Sequence, residues 1–420
     1  MFKPLRLILD TVVTRGSLHI ETSDGATFQF GDATPPRVSV KFMDKRLERQ
    51  IALNPNLAVA EGYMDGRLIM QEGRIYDLIA LVLDNAMGKP LPRWALAADG
   101  IRYLTRRVAQ YNPTSRARRN VQHHYDIDGR IYDLFLDAER QYSCAYYPTA
   151  DTDLEDAQRA KIRHIAAKLA IGDQHRLLDI GSGWGGLALN LAGMTGCEAR
   201  GITLSDEQLA YAQRWAQKRG LDNRVQFSLT DYRQLEGRFD RIVSVGMFEH
   251  VGINHYQTFF DRIHDLLDDD GVALIHFIGR SDRPAATNAF IARHIFPGGY
   301  IPALSEVLPA IERSGLIVTD VEVLRLHYAM TLRHWRERFI AHWDEAASIQ
   351  GERFCRMWEF YLAGSETAFR YQNLVVFQIQ LTRRVDALPI VRDYMSAGEG
   401  ELLARERAMH LAATARLAGE

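Results

Sequence analysis

The 420-residue sequence predicts an α/β protein, a parallel sheet covered by helices, with a small α+β unit in front of it. Three observations carry that expectation. The chain is long enough for two cores, and its 47% hydrophobic and 25% charged residues are those of a folded globular protein. From about residue 125 strand-like apolar runs alternate with helical ones, the signature of parallel strands joined by crossover helices. Ahead of them, short alternating runs flank an Asp-Gly turn.

The opening segment "MFKPLRLILDTVVTRG" starts basic, but Asp10 and Arg15 interrupt its apolar run and no small-residue cleavage site follows. It is therefore not expected to be a signal peptide. Residues 17–30, "SLHIETSDGATFQF", alternate apolar and polar on either side of Asp24-Gly25, which predicts a hairpin. "RVSVKFMD" adds a strand, and "NLAVAEGYMDG" and "IYDLIALVLDNAM" turn to helical periodicity. This N-terminal unit is assigned residues 1–92.

Residues 93–124 form a connector in which Arg93, Arg102, Arg106, Arg107, Arg116, Arg118 and Arg119 face a single acid, Asp99. Ile101, Leu104 and Val108 recur at helical spacing. Two readings stay open: a solvated connector, or a surface for anionic lipid headgroups worth roughly 1 kcal/mol per basic residue at a membrane. The net charge of −2 argues against a dedicated nucleic-acid binder, which would normally carry a basic excess. Cys144, Cys197 and Cys355 lie at unrelated spacings, which predicts no metal site and no disulfide framework, and a reducing cytosol as the compartment. No run approaches the ~18 apolar residues of a membrane span, so a bilayer would be met only from its surface.

Residues 125–390 hold the predicted sheet. Its strands are "RLLDIG", "CEARGITL", "VQFSLTD", "FDRIVSVG" and "GVALIHFIG", followed by "VTDVEVLRL" and "LVVFQIQLTRR". A helical, aromatic-rich excursion over 329–372 separates the last two. Residues 391–420 read as a polar helical tail without chemistry.

The glycine loop "LLDIGSGWGG" follows the first of these strands and precedes a helix, where backbone N–H groups can approach a ligand. Its spacing fits both G-x-G-x-x-G, for a dinucleotide, and G-x-G-x-G, for a sulfonium donor. A dinucleotide wants an acid at the tip of the second strand to hold the ribose diol. That tip is "GITLSDEQ": Thr203, Leu204 and Ser205 lead into a helix whose first turn carries Asp206 and Glu207, where acids commonly serve the helix dipole.

In order along the chain stand "QYSCAYYP", "LLDIGSGWGG", "GITLSDEQ", "DYR", "FDRIVSVGMFEHVG", "IFPGGYIP" and "FCRMWEFYLAGSETAFR". Over roughly residues 15–390 they resemble the cyclopropane-fatty-acyl-phospholipid synthases, relatives of the mycolic-acid cyclopropane synthases. The resemblance implies a class I S-adenosylmethionine-dependent methyltransferase fold, Rossmann-like with a mixed seven-stranded sheet, behind a small α+β lipid-handling domain. It decides the glycine question for the sulfonium donor.

By that similarity Tyr142 and Ser143 close over the donor's methionine end. Gly181 and Gly183 line it, and Asp179 supports the loop. Thr203, Leu204 and Gln208 take the ribose, and Asp231 and Tyr232 approach the adenine. The implied reaction turns a cis alkene of a phospholipid acyl chain into a cyclopropane through a carbocation that must lose a proton. The family holds a bicarbonate ion for that purpose; Glu249, His276 and Tyr328 match its side-chain ligands, and Cys144 and Ile278 match positions contributing through backbone. Aromatic side chains of the excursion (Trp335, Phe339, Trp343, Phe354, Trp358, Phe360, Tyr361, Phe369) are expected to roof an acyl channel, with half of them ordinary core.

Two positions depart from the pattern. Ser365 stands where many relatives have a cysteine, so no covalent cysteine mechanism is expected; Ser182 replaces another cysteine in the glycine loop, where backbone does the binding. The implied partner is an unsaturated membrane phospholipid bound peripherally, anionic headgroups favoured, on the inner face of the membrane. Dimerisation is the alternative role for the N-terminal unit. The rival outcomes are a methyl- or methylene-branched product and a non-catalytic lipid carrier on the same fold; a nicotinamide oxidoreductase is disfavoured by the missing acid.

Overall fold

In the computed structural model, residues 1–87 and 127–418 are described. The arginine-rich connector, residues 93–124, with its candidate lipid-facing surface, lies outside them.

The N-terminal region opens with helix α1 (Lys3–Val12). Strands β1 (Ser17–Glu21) and β2 (Thr27–Phe30) form the expected antiparallel hairpin, and β3 (Arg37–Phe42) lies parallel to β1. Helices α2 (Lys45–Leu53) and α3 (Pro55–Met64) follow. Strand β4 (Leu68–Glu72), which periodicity did not pick out, pairs antiparallel with β3, and α4 (Ile75–Ala86) completes the unit. Only Leu68 of β4 is buried, so the strand lacks the apolar alternation that marks its neighbours. The sheet order is β2-β1-β3-β4. Its apolar residues, Leu18, Ile20, Val38 and Val40, are buried against α2–α4 residues such as Leu47, Ala60 and Ile75.

A short helix α5 (Gly129–Asp133) and a long one, α6 (Leu154–Lys168), bracket the segment 134–153. The large sheet then runs β5 (Arg176–Ile180), α7 (Gly186–Thr195), β6 (Glu198–Thr203), α8 (Asp206–Lys218), β7 (Val225–Leu229), β8 (Phe239–Val245), α9 (Tyr256–Leu266) and β9 (Leu267–Arg280). After them come α10 (Leu304–Ser314), β10 (Ile317–Leu324), the helices α11 (His327–Ala341), α12 (Trp343–Gln350) and α13 (Glu352–Tyr371), and β11 (Leu374–Thr382). Strand order is β10-β11-β9-β8-β5-β6-β7, with β9, β8, β5, β6 and β7 parallel and β11 antiparallel to both its neighbours. The sheet is thus mixed and seven-stranded.

Adjacent residues of the central strands enter different cores. Ile242 and Ile275 pack with Phe259, Phe260 and Ile311 on one side, while Val243 and Leu274 pack with Leu177, Leu189 and Ala212 on the other. A sheet buried on both faces explains the near-continuous apolar strands. The reversal of chain order between β5–β6 and β8 opens a crevice at the carboxyl ends of the strands, the usual ligand position in such sheets.

The excursion observed over residues 327–371 packs as a helical pair, α11 on α13, with α3 and α4 of the N-terminal unit against α13. Polar contacts tie that junction: Tyr63 to Glu359, Arg353 Nε to Asp65 (2.8 Å), and Arg293 and His294 both to Glu61 (3.1 Å). Helix α14 (Asp393–Ala418) is no free tail. It docks on α6, where Glu399 meets His164 (3.2 Å) and Glu406 pairs with Arg163. Among the described residues no helix is long and apolar enough to cross a membrane.

Candidate active site

The crevice encloses about 1340 Å³, open solvent at its mouth included, and its wall gathers segments far apart in sequence. Tyr142 and Ser143 come from the segment after α5; Asp179, Gly181 and Gly183 from the β5 end; Thr203, Leu204 and Gln208 from the β6–α8 turn; and Asp231 and Tyr232 from the turn after β7. All ten residues expected at a donor site therefore line one cleft.

The glycine loop leaves β5 with positive φ at Gly181 (84°) and Gly183 (53°), which favours glycine. A Cβ at Gly181 would lie 2.8 Å from the Met247 side chain, whereas one at Gly183 would meet nothing within 4 Å. The first glycine permits close packing; the second leaves backbone open toward the cleft. Gly181 and Ser182 N–H groups are held by the Ile202 carbonyl (2.9 Å each), which ties the loop to β6. At the β6 tip the Thr203 hydroxyl donates to Gln208 Oε1 (2.9 Å), and the Ser205 hydroxyl caps α8 by accepting from Gln208 N–H (3.3 Å). Asp231 caps the next turn through Arg233 N–H (3.0 Å) and pairs with the Arg233 guanidinium (2.6 Å).

Asp179 is 1% exposed, and its Oδ2 has no hydrogen-bond partner among the described residues. Burial pushes its carboxyl up to about 7 against the pull of Lys161. An unsatisfied buried oxygen costs roughly 1–3 kcal/mol, so this is an acceptor awaiting a donor. The glycine cradle and this acceptor fit the amino-acid end of S-adenosylmethionine.

Above the cleft, the Tyr142 ring stacks on Trp335 (centroids 5.2 Å, 29°), and its hydroxyl lies 2.9 Å from that of Tyr361. The excursion's aromatic side chains therefore reach the donor cleft through Tyr142. Trp335, Phe339 and Trp358 are fully buried and Phe360, Tyr361 and Phe369 nearly so, while Trp343 and Phe354 are only partly buried. Ser365 is half-buried on α13.

None of the five expected anion-site positions lines the cleft, although its lining includes Ser143, Val245 and His250, neighbours of Cys144, His276 and Glu249. Glu249 and Ile278 are joined: Ile278 N–H donates to Glu249 Oε1 (2.7 Å). Glu249 Oε2 is buried with no hydrogen-bond partner among the described residues, and burial pushes the carboxyl up to about 7. His276, two residues earlier on the same face of β9, stands beside Val245 and bonds Gln378 (3.2 Å). Burial first, then the Lys161 charge, holds its imidazole down to about 3, so it is neutral. Tyr328 packs edge-on to Trp335 (5.8 Å) and against Phe369 (4.9 Å). The Cys144 thiol donates to the Ala145 carbonyl (3.3 Å), and burial pushes it far above its ordinary value. That thiol is no nucleophile at neutral pH.

Sequence reasoning missed Arg140, Gln141 and Trp184, which also line the cleft, and the residues beneath them, Gln158 and Lys161. The last two fall on the same stripe of α6 as Leu154, Ala157, Ile165 and Lys168, all buried. Polar residues at core-facing positions of a helix were the available signal.

The sheet order, the glycine loop at a strand's carboxyl end and the convergent cleft define an S-adenosylmethionine-dependent methyltransferase. Within that class the chain belongs to the mycolic acid cyclopropane synthetase family, whose model matches residues 112–379. A domain of unknown function (DUF7884) matches residues 9–88. The chain is 36% identical over 356 residues to the cyclopropane-fatty-acyl-phospholipid synthase of Escherichia coli (strain K12), covering 84% of this chain and 90% of that one. It is 35% identical over 369 residues to a "Probable fatty acid methyltransferase" of Pseudomonas putida, covering 86% and 91%. The crystal structure of mycolic acid cyclopropane synthase CmaA1 complexed with SAH and CTAB aligns at 33% identity with a TM-score of 0.60, over 65% of this chain and 99% of that one.

Proposed function

We propose that the protein converts a cis double bond in a membrane phospholipid acyl chain into a cyclopropane ring, with a bicarbonate ion as the base. S-adenosylmethionine supplies an electrophilic methyl group and bicarbonate a basic oxygen. An isolated alkene is a feeble nucleophile, so the protein's contribution is alignment in a dry pocket, which is worth several kcal/mol. Tyr142, stacked on Trp335, separates the donor cleft from the helical excursion and would hold the alkene against the methyl group. Faces of Trp335 and Tyr328 would stabilise passing positive charge by roughly 1–2 kcal/mol each.

The observation that carries the reading is Glu249 Oε2, a buried carboxylate oxygen left without a donor one residue from the cleft-lining His250. It suits the O–H of bicarbonate, and the neutral His276 and the Tyr328 hydroxyl suit its remaining oxygens. Ile278 N–H is already given to Glu249, so its role would be to orient that carboxylate. Glu249→Gln is expected to lower kcat by about 100-fold or more while S-adenosylhomocysteine binds as before. Bicarbonate depletion should slow the wild type, and add-back should restore it; a Glu249→Gln variant as fast as wild type would remove the anion site.

The N-terminal unit and arginine-rich connector would dock the enzyme on the bilayer surface. Binding to vesicles of anionic phospholipid should weaken as salt shortens the screening length. Binding indifferent to salt would refute docking through charge. The second reading is methyl transfer to the acyl chain without ring closure, which the likeness to a protein described as a probable fatty acid methyltransferase keeps in view.

A further inference from the structure

The cleft residues Gln141, Tyr142 and Ser143 lie on a strap that has no regular structure of its own, and helix α6 holds it from behind. Gln158 Nε2 donates to the carbonyls of Gln141 (3.2 Å) and Ser143 (3.1 Å). One turn further on, Lys161 Nζ donates to Gln141 Oε1 (2.6 Å) and to Ser143 Oγ (3.0 Å). Asp137 fixes the strap's start by accepting from the N–H groups of Glu139 (3.0 Å) and Gln141 (2.9 Å). Arg140 is held at φ 48°, a strained conformation for a non-glycine residue, which persists only where the surroundings enforce it.

Lys161 is 0% exposed. A buried ammonium is costly, and a leucine or methionine on the same stripe would pack without that cost. The charge instead orders two side chains of the cleft wall. A serine oxygen that accepts from an ammonium keeps its own proton for another acceptor, and Gln141, its oxygen taken, points one amide proton at the Glu139 carbonyl (3.5 Å) and keeps the second for a ligand. Ser143 and Gln141 both line the cleft, and Asp179 offers its unpartnered oxygen there. Hydroxyl and amide donors beside a carboxylate acceptor match a zwitterion.

We propose that Lys161 is a positioning residue for the methyl donor, acting through Ser143 and Gln141 to present their protons to the donor's amino-acid end. The inference rests on the donor-cleft reading. Burial lowers the Lys161 ammonium to about 8, with Asp137, the Cys144 thiol and Asp179 opposing the shift. Those carboxyls are themselves raised by burial, Asp137 to about 6 and Asp179 to about 7, and the nearby His276 is neutral. Lys161 is therefore charged at neutral pH and discharges as pH rises through about 8, whereas the acids titrate below it.

Calorimetric titration with S-adenosylhomocysteine and steady-state kinetics on vesicles of cis-monounsaturated phospholipid test this. Lys161→Met should raise the dissociation constant and the donor KM by about tenfold or more, the loss of two charge-assisted hydrogen bonds, with kcat at saturating donor within about threefold. Adding Ser143→Ala should cost less than about a further twofold, since both changes cut one path. Wild-type affinity should fall between about pH 7 and pH 9 more steeply than that of the variant, whose remaining slope belongs to Asp179 and to the ligand's own amino group. Lys161→Gln, which keeps a donor but not the charge, gives a second comparison should the methionine variant not fold. Wild-type-like affinity in the variants, a fall in kcat with KM unchanged, or an unaltered pH slope would overturn the role of Lys161. A wild type that binds no S-adenosylhomocysteine would instead overturn the donor cleft.

Discussion

At Glu249 burial raises the carboxyl to about 7, so the group is neutral in mild acid and ionised above that value. If it must accept the anion's proton, kcat should fall as pH drops through about 7, and Glu249→Gln should lack that limb in a pH–rate profile. A limb that survives the substitution would assign it to another group, such as Asp179. Most residues around the donor were legible because they sit where a strand ends and a loop begins, a place marked by Gly181, Gly183 and the Ser205 cap, whereas Tyr142 and Ser143 lie on an irregular strap and were reached only through the resemblance of "QYSCAYYP". Lys161 was not legible. A lysine on a helix ordinarily reads as solvated, and only its place among Leu154, Ala157 and Ile165 betrays the inward face. Nor does sequence spacing say that Ile278 N–H is spent on Glu249, since α9 and most of β9 separate the two residues.

Among the elements, α14 shows how polarity misleads. Its described part has one buried apolar anchor, Leu402, and is otherwise held by ion pairs and by the Gln380 amide donating to the Tyr394 hydroxyl (2.7 Å). His164 lies between Glu322 (2.6 Å) and Glu399 (3.2 Å) and stacks on Tyr146 (4.2 Å). Burial lowers its pKa, but the two carboxylates outweigh burial and hold it above the ordinary value. A histidine raised on folding stabilises fully below its unfolded value, and that contribution disappears as pH climbs through the folded one. Thermal melts should show the wild type losing stability above about pH 6.5 relative to His164→Gln, with the gap between them closing. Parallel pH curves would mean the imidazole carries no charge in the fold. The antiparallel sense of β11 was equally unavailable from its apolar run, because a strand buried on both faces reads alike in either direction.

At the scale of the whole molecule, one apolar core runs from the N-terminal sheet through α3 and α4 into α11 and α13 and ends at Tyr142. The N-terminal unit is thus continuous with the roof of the cleft. Arg336 spans the junction, paired with Glu366 (2.9 Å) and lying 4.3 Å over the Tyr76 ring. Such a layout suits a lipid that must leave a bilayer and present one carbon–carbon bond to a donor held in the large sheet. The most direct measurement is the product itself: purified protein, S-adenosylmethionine and vesicles of a cis-monounsaturated phospholipid, followed by nuclear magnetic resonance of the extracted acyl chains. Upfield cyclopropane protons, accumulating one for one with S-adenosylhomocysteine, are the predicted result. A chain that gains a methyl or methylene branch in place of the ring, or no S-adenosylhomocysteine at all, would contradict it.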